Sequence, residues 1–243
     1  LVVARQGPPL LIGVGAAGFF VASDIVALLP VTREYQVLEN GDVADLREDG
    51  CTITNRKGET VERPILYSRQ SGGAADRGEY RYFMQKEIHE QPRAVADTLE
   101  GRISGERVLE ETFGPQSPRL FKQTRAVQII ACGTSFHAGL VAKHWLEYIG
   151  IPCEVEVASE YRYRQHAPRH GTLVVTISQS GETADALAAL EEAKRQDIVG
   201  SMVICNVPES SLVRESDLTF ITHAGPEVGV AATKTFTTAM TGL

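Results

Sequence analysis

Five short strand-like runs, at residues 126–131, 153–157, 173–177, 201–205 and 218–222, constrain the fold more than any other feature of the chain. Each is too short for a typical helix, and the first reads as a short buried strand. After the first run, Phe136, Leu140, Val141, Trp145 and Tyr148 recur at helical spacing, and these mark the expected apolar side of a helix. After the third, Ala184, Leu187, Ala188 and Leu190 do the same. Strand and helix in alternation imply an α/β fold, a doubly wound parallel sheet with flanking helices.

The first 70 residues read differently. Segments 2–4, 10–12, 35–38, 42–46 and 51–54 are strand-like, with Asn40-Gly41, Asp49-Gly50 and Lys57-Gly58 between them as turn dipeptides. An antiparallel meander is expected. Residues 71–78 lack apolar periodicity and read as a linker, which places a domain boundary near residue 72. A helix over residues 82–90 follows, and Pro92 is expected to open a second helix running through Val95 and Leu99.

Composition excludes several classes. With 243 residues, 43% of them hydrophobic, the chain can fill a core, so general disorder and collagen-like order are ruled out. A net charge of −7 argues against nucleic acid or an anionic membrane as a partner held by broad electrostatics. The four cysteines form no CxxC pair, which argues against a zinc site and for a reducing, cytoplasmic setting. No apolar run approaches the roughly 20 residues of a membrane helix, and no basic leader precedes the apolar start. Both ends read as cuts within longer elements.

Two loops carry the chemistry. Cys132-Gly133-Thr134-Ser135 follows the first run, and Ser178-Gln179-Ser180-Gly181-Glu182-Thr183 follows the third. Ligands of open parallel sheets bind beyond the carboxyl ends of the strands, where loops enter helix N-termini. Unpaired N–H groups there, with Ser and Thr hydroxyls around them, suit a phosphate without a metal. Gly133 and Gly181 let the backbone come close. The alternative is that each hydroxyl only caps its helix. Glu182 is expected to point outward and stabilise the helix dipole, and His137 and His144 to lie on a helix surface. Cys132 reads more simply as a small buried residue than as a nucleophile.

Residues 223–234 form a third candidate loop, where Gly225 and Gly229 suggest close backbone approach and a helix starts near Thr233. Lys234 is expected to be solvated. Gly13-Val14-Gly15-Ala16-Ala17-Gly18 matches a dinucleotide fingerprint, but hairpin-like strands follow instead of β-α alternation, so no nucleotide site is expected there.

The motifs CGTSFHAG, ASEYRYR, TISQSGETADALAAL, ICNVPESSLVRESD and GPEVGVAATKTFTT together resemble the first sugar-isomerase (SIS) subdomain of the glutamine–fructose-6-phosphate aminotransferase (isomerising) family, the glucosamine-6-phosphate synthases. FFVASDIVALLPVTREYQVLENGD is similar to the end of that family's glutaminase domain, and YFMQKEIHEQP to the start of its isomerase half. The resemblance implies three parts. These are residues 1–72 from a glutaminase domain with an N-terminal nucleophile, 73–110 as linker and first isomerase helices, and 111–243 as a truncated SIS subdomain.

The family aminates and isomerises fructose-6-phosphate to glucosamine-6-phosphate with glutamine as nitrogen donor. It uses no metal or redox cofactor and works at least as a dimer. By resemblance, Thr134, Ser135, Ser178, Gln179, Ser180 and Thr183 bind the sugar phosphate. Cys132 and Gly133 head the same loop, and Val230 and Ala231 offer backbone to the sugar. The family's glutaminase residues fall upstream of this segment and its proton-transfer groups downstream, so no catalytic residue is expected here and the segment alone should be inactive. A non-catalytic sugar-phosphate sensor is the alternative reading.

Overall fold

The computed structural model describes residues 1–48, 50–68 and 77–243. The chain forms two compact units, residues 1–75 and 76–243. The boundary expected near residue 72, and Asp49 of the second turn dipeptide, lie outside the described residues.

The first unit holds β1 (Val2–Ala4), β2 (Leu11–Gly15), β3 (Gly18–Ala22), the one-turn helix α1 (Ile25–Leu28), β4 (Glu34–Val37), β5 (Val43–Arg47), β6 (Gly50–Thr54), β7 (Thr60–Val61) and β8 (Ile65–Tyr67). They form two antiparallel four-stranded sheets, ordered β1-β5-β6-β7 and β3-β2-β4-β8. This corrects the expected meander. Asn40-Gly41 turns between β4 of one sheet and β5 of the other, so it closes no hairpin. Ile12 from one sheet shares a core with Ala44, Leu46 and Ile53 from the other. The fingerprint-like glycines lie in a plain hairpin, with Val14 paired to Phe19 and Gly15 to Gly18. That pairing leaves no helix N-terminus for a nucleotide.

Asp42 ties this unit together. Its carboxylate is buried and accepts the Glu39 N–H at 2.7 Å and two Arg63 guanidinium N–H groups, Nε at 2.8 Å and Nη2 at 2.9 Å.

The second unit begins with α2 (Phe83–Leu99), then β9 (Ile103–Ser104) and β10 (Arg107–Val108) as a small hairpin, a 3-10 turn at Glu110–Phe113 and α3 (Ser117–Gln123). Then come β11 (Ala126–Ala131), α4 (Gly133–Tyr148), β12 (Cys153–Val157), α5 (Ala158–Tyr161), β13 (Thr172–Ser178) and α6 (Ala184–Ala193). β14 (Gly200–Cys205), α7 (Ser211–Glu215), β15 (Leu218–Ile221) and α8 (Lys234–Thr241) complete it. The five parallel strands run in the order β12-β11-β13-β14-β15, with α/β character as expected from the sequence.

Alternate strand residues face opposite sides of the sheet. Ile129, Ala131, Val175, Ile177, Ile204 and Phe220 belong to the core on the side of α4 and α8. Three helical expectations need correction. Pro92 does not start a helix but lies within α2. Proline has no N–H to give the Ile88 carbonyl, and the Gln91 side-chain amide supplies one instead, at 3.0 Å. On α4 the buried residues are Ala138, Gly139 and Ala142, while Trp145 is 50% and Tyr148 92% exposed. Small size, which lets the helix lie close to the sheet, selects that face over hydrophobicity. On α6 the buried stripe is Ala186, Ala189, Leu190 and Ala193, which shares only Leu190 with the expected side.

Candidate functional site

In the strand order, β12 lies on one side of β11 and β13 on the other, and the sheet continues from β13 away from β11. The connections therefore diverge between β11 and β13, and the ends of these two strands are paired, Ala131 with Ile177. Such a divergence opens a crevice at the carboxyl edge, where open α/β sheets bind ligands. Both hydroxyl-rich loops leave the sheet at this point.

The loop after β13 is internally braced. Ser178 Oγ accepts the Gly181 N–H at 3.0 Å and lies 3.0 Å from Thr183 Oγ1. Ser180 Oγ accepts the Glu182 N–H at 3.2 Å. Thr183 is the N-cap residue of α6, yet its side chain makes no capping bond. The loop after β11 is barer. Cys132 occupies the N-cap position of α4 without a capping bond, and the Thr134 and Ser135 hydroxyls have no hydrogen-bond partner among the described residues. Simple capping therefore does not account for these hydroxyls.

Gly181 has φ +67°, a left-handed conformation that favours glycine. A methyl group on it would sit 2.0 Å from Ser210 Oγ. Glu182 does not point to solvent, contrary to expectation. Its Oε1 accepts the Ser211 N–H at 2.8 Å, at the first turn of α7, where Ser210 offers no side-chain cap. An unpaired helix N–H close by attracts the carboxylate more than water does.

A small cleft brings Ser135, Ser178 and Gln179 together with Asn206, Thr222 and Thr235. Asn206, Thr222 and Thr235 escaped the sequence reading. Asn206 follows β14 and cross-links the neighbouring loop: its Oδ1 accepts the Thr222 hydroxyl at 3.1 Å and the Ala224 N–H at 2.8 Å, and its Nδ2 donates to the Gly225 carbonyl at 2.7 Å. An Asn directly after an apolar strand was the available signal. Among the described residues no charged side chain lines the cleft. Its one thiol, Cys205, is buried, and burial pushes it up from its ordinary value.

Cys132, Gly133, Thr134, Ser180 and Thr183 flank the cleft residues on the same two loops but do not line it. Val230 and Ala231 are exposed on the loop before α8, also outside the lining. His137 and His144 lie exposed on α4. Lys234 corrects its expectation: it is 3% exposed, and its Nζ reaches Glu90 Oε2 of α2 at 2.6 Å. A buried ammonium requires such a partner. A roomier cavity, of about 210 Å³, opens over the starts of β11 and β13 beside Tyr161, Arg164 and His166, and none of the expected site residues lines it. Among the described residues no group of three or more His, Cys, Asp or Glu side chains could hold a metal ion. No helix there is long and apolar enough to cross a membrane.

The SIS domain model matches residues 120–243, which is β11 to α8 and the end of α3 before them. The chain belongs to the SIS domain family. Its relatives extend further than this module. A glutamine–fructose-6-phosphate aminotransferase [isomerizing] of Pseudomonas aeruginosa is 56% identical over the whole chain, and one of Idiomarina loihiensis is 55% identical. The chain spans 40% of the length of each. Among solved structures, the C-terminal domain of glucosamine-fructose-6-phosphate aminotransferase from Francisella tularensis is 50% identical, with a TM-score of 0.67 over 69% of this chain and 47% of that one. The two hydroxyl-rich loops thus lie inside the SIS module, and the two-sheet unit precedes it.

Proposed function

We propose that this chain is the central part of a glutamine–fructose-6-phosphate aminotransferase (isomerising), and that its SIS module holds fructose-6-phosphate and the product glucosamine-6-phosphate. The observation that carries the reading is the meeting of Ser135 and Ser178 at the divergence of β11 and β13, with hydroxyls that no helix cap uses up. Hydroxyl and N–H donors around a tetrahedral anion bind phosphate without a counter-charge, which suits a chain of net charge −7. On this reading Thr134, Ser135, Ser178, Gln179, Ser180 and Thr183 take the phosphate, while Cys132, Gly133, Val230 and Ala231 border the sugar.

Proton transfer requires a titratable group within hydrogen-bond reach of the moving proton. Among the described residues the cleft lining offers only the buried Cys205 thiol, so on this reading the chain by itself holds the sugar phosphate without turning it over. Residues 1–72 are then the last part of the glutaminase domain, 73–110 the link to the isomerase half and 111–243 the first SIS subdomain. Glutamine is bound by parts of the enzyme outside this chain. The whole enzyme is a cytoplasmic homodimer or larger oligomer and needs no cofactor.

Thermal unfolding with fructose-6-phosphate or glucosamine-6-phosphate tests the site. At about 100 times Kd a single-site ligand adds roughly 2.7 kcal/mol to stability. The melting temperature should rise in the wild type and stay unchanged in a Ser178→Ala, Ser180→Ala double variant. Equal rises in both proteins, or turnover of fructose-6-phosphate or glutamine by the chain alone, would refute the reading.

A further inference from the structure

Glu87 is almost wholly buried, at 2% exposure, on the second turn of α2. Burying a carboxylate costs several kcal/mol unless hydrogen bonds replace its water. Here the replacement comes from two successive amides 141 and 142 residues further along the chain. Glu87 Oε1 accepts the Val228 N–H at 2.7 Å and the Gly229 N–H at 3.0 Å. Two neighbouring N–H groups turned to one oxygen fix the planes of both peptides. The fit is close, because a methyl on Gly229 would lie 2.6 Å from Glu87 Oε2.

Val230 comes next, and its side chain is fully exposed. Its own packing therefore does not orient it. On the far side, Glu227 Oε1 accepts the Thr233 N–H at 2.9 Å and the Thr235 N–H at 3.2 Å. Two carboxylates hold the loop at both ends. Only one of them comes from outside the loop, and α2 is itself fastened to α8 by the Glu90–Lys234 pair.

We propose that Glu87 is a positioning residue for the sugar: by holding the Val228 and Gly229 amides it sets the direction in which the Val230 and Ala231 backbone is presented. This rests on the reading that the module binds a hexose phosphate, with the phosphate on the hydroxyl loops and the sugar beside Val230. A clamp of this kind acts on the sugar and not on the phosphate, which lets the two contributions be separated.

Calorimetric titration of the 243-residue chain with glucosamine-6-phosphate and, separately, with inorganic phosphate makes the separation. Glu87→Ala should weaken glucosamine-6-phosphate by about tenfold or more and leave phosphate affinity within about twofold of wild type. Glu87→Gln keeps one carbonyl oxygen that can accept both amides, and should stay within about threefold of wild type for both ligands. If Glu87→Ala does not fold, Gly229→Ala displaces the loop while leaving the carboxylate in place, and the same selective loss is expected. Wild-type sugar-phosphate affinity in the variant that folds, or equal weakening of both ligands, would overturn the inference while the site reading stands. A wild type that binds neither ligand would overturn the site reading first, and the inference with it.

Discussion

Glu182 Oε1 accepts the backbone N–H of Ser211 at 2.8 Å, so the loop that follows β13 serves as the cap of α7. The other oxygen of Glu182 is buried without a hydrogen-bond partner among the described residues. A removed helix cap costs about 1 kcal/mol. Glu182→Ala should lower stability by about that amount, and Glu182→Gln by less, since an amide oxygen can still accept the Ser211 N–H. Urea midpoints of the two variants measure the difference, and equal midpoints would remove the cap from the account.

Gly181 permits a sharper test, because its two constraints separate. Gly181→Ala meets both the left-handed backbone and the Ser210 side chain, and should cost about 3 kcal/mol or more. Adding Ser210→Gly removes the contact with Ser210 and leaves the backbone cost of about 1–2 kcal/mol, with a smaller clash against Cys205 Sγ at 2.7 Å. A double variant no more stable than the single one would show that Ser210 is not what the methyl meets.

In the first unit, the Arg63 guanidinium bonded to Asp42 holds its carboxyl below the usual 3.8, against the opposing effect of burial. A carboxyl lowered by folding stabilises the native state fully above its unfolded value. That contribution is lost as pH falls from about 4 through the lower folded value. Acid unfolding of the wild type should therefore show a loss of stability below about pH 4 that Asp42→Asn lacks. At neutral pH the variant should already be weaker by about 2 kcal/mol, since Arg63 loses its buried carboxylate partner and keeps the exposed Glu39, 2.9 Å from its Nη1. Parallel acid profiles for the two proteins would exclude the pair as their cause.

The cysteines should divide by accessibility. Cys153 and Cys205 are buried, while Cys51 and Cys132 are half-buried. Burial pushes the Cys153 thiol up to about 11, and the thiolate is the species that reacts. Brief iodoacetamide treatment of the native chain at pH 8, followed by peptide mass spectrometry, should find Cys132 modified well before Cys153 and Cys205. Bound glucosamine-6-phosphate should slow the Cys132 reaction if that residue borders the ligand. Labelling of Cys153 at the rate of Cys132 would contradict the packing of β12.

The parallel sheet was legible because its three central strands, β11, β13 and β14, are buried on both faces, so each is an apolar run that needs no partner information to recognise. The two antiparallel sheets of the first unit were not. Their strands could be read, but Asn40-Gly41 looks the same whether it closes a hairpin or passes the chain between sheets. The loops at Thr134 and Ser178 were legible because their place after a strand and before a helix carries meaning. Glu182, Glu87 and Lys234 were not, since an isolated charged residue at a helical position is ordinarily solvated. What turned each inward is a partner far away in the chain: Ser211, Val228 and Glu90. Trp145 misled for the opposite reason, because on α4 a close approach to the sheet favours alanine and glycine.

The span between Glu87 and Val228 also sets an order in time. A ribosome releases the amino end first, so α2 emerges and must wait while the whole sheet is synthesised before its carboxylate meets the amides it will hold. Until then the acid stays in water. Closing of the Val228–Gly229 turn is thus a late event in the birth of the molecule, and a nascent chain halted before Val228 would carry the hydroxyl loops while Glu87 still lacked the amides it holds.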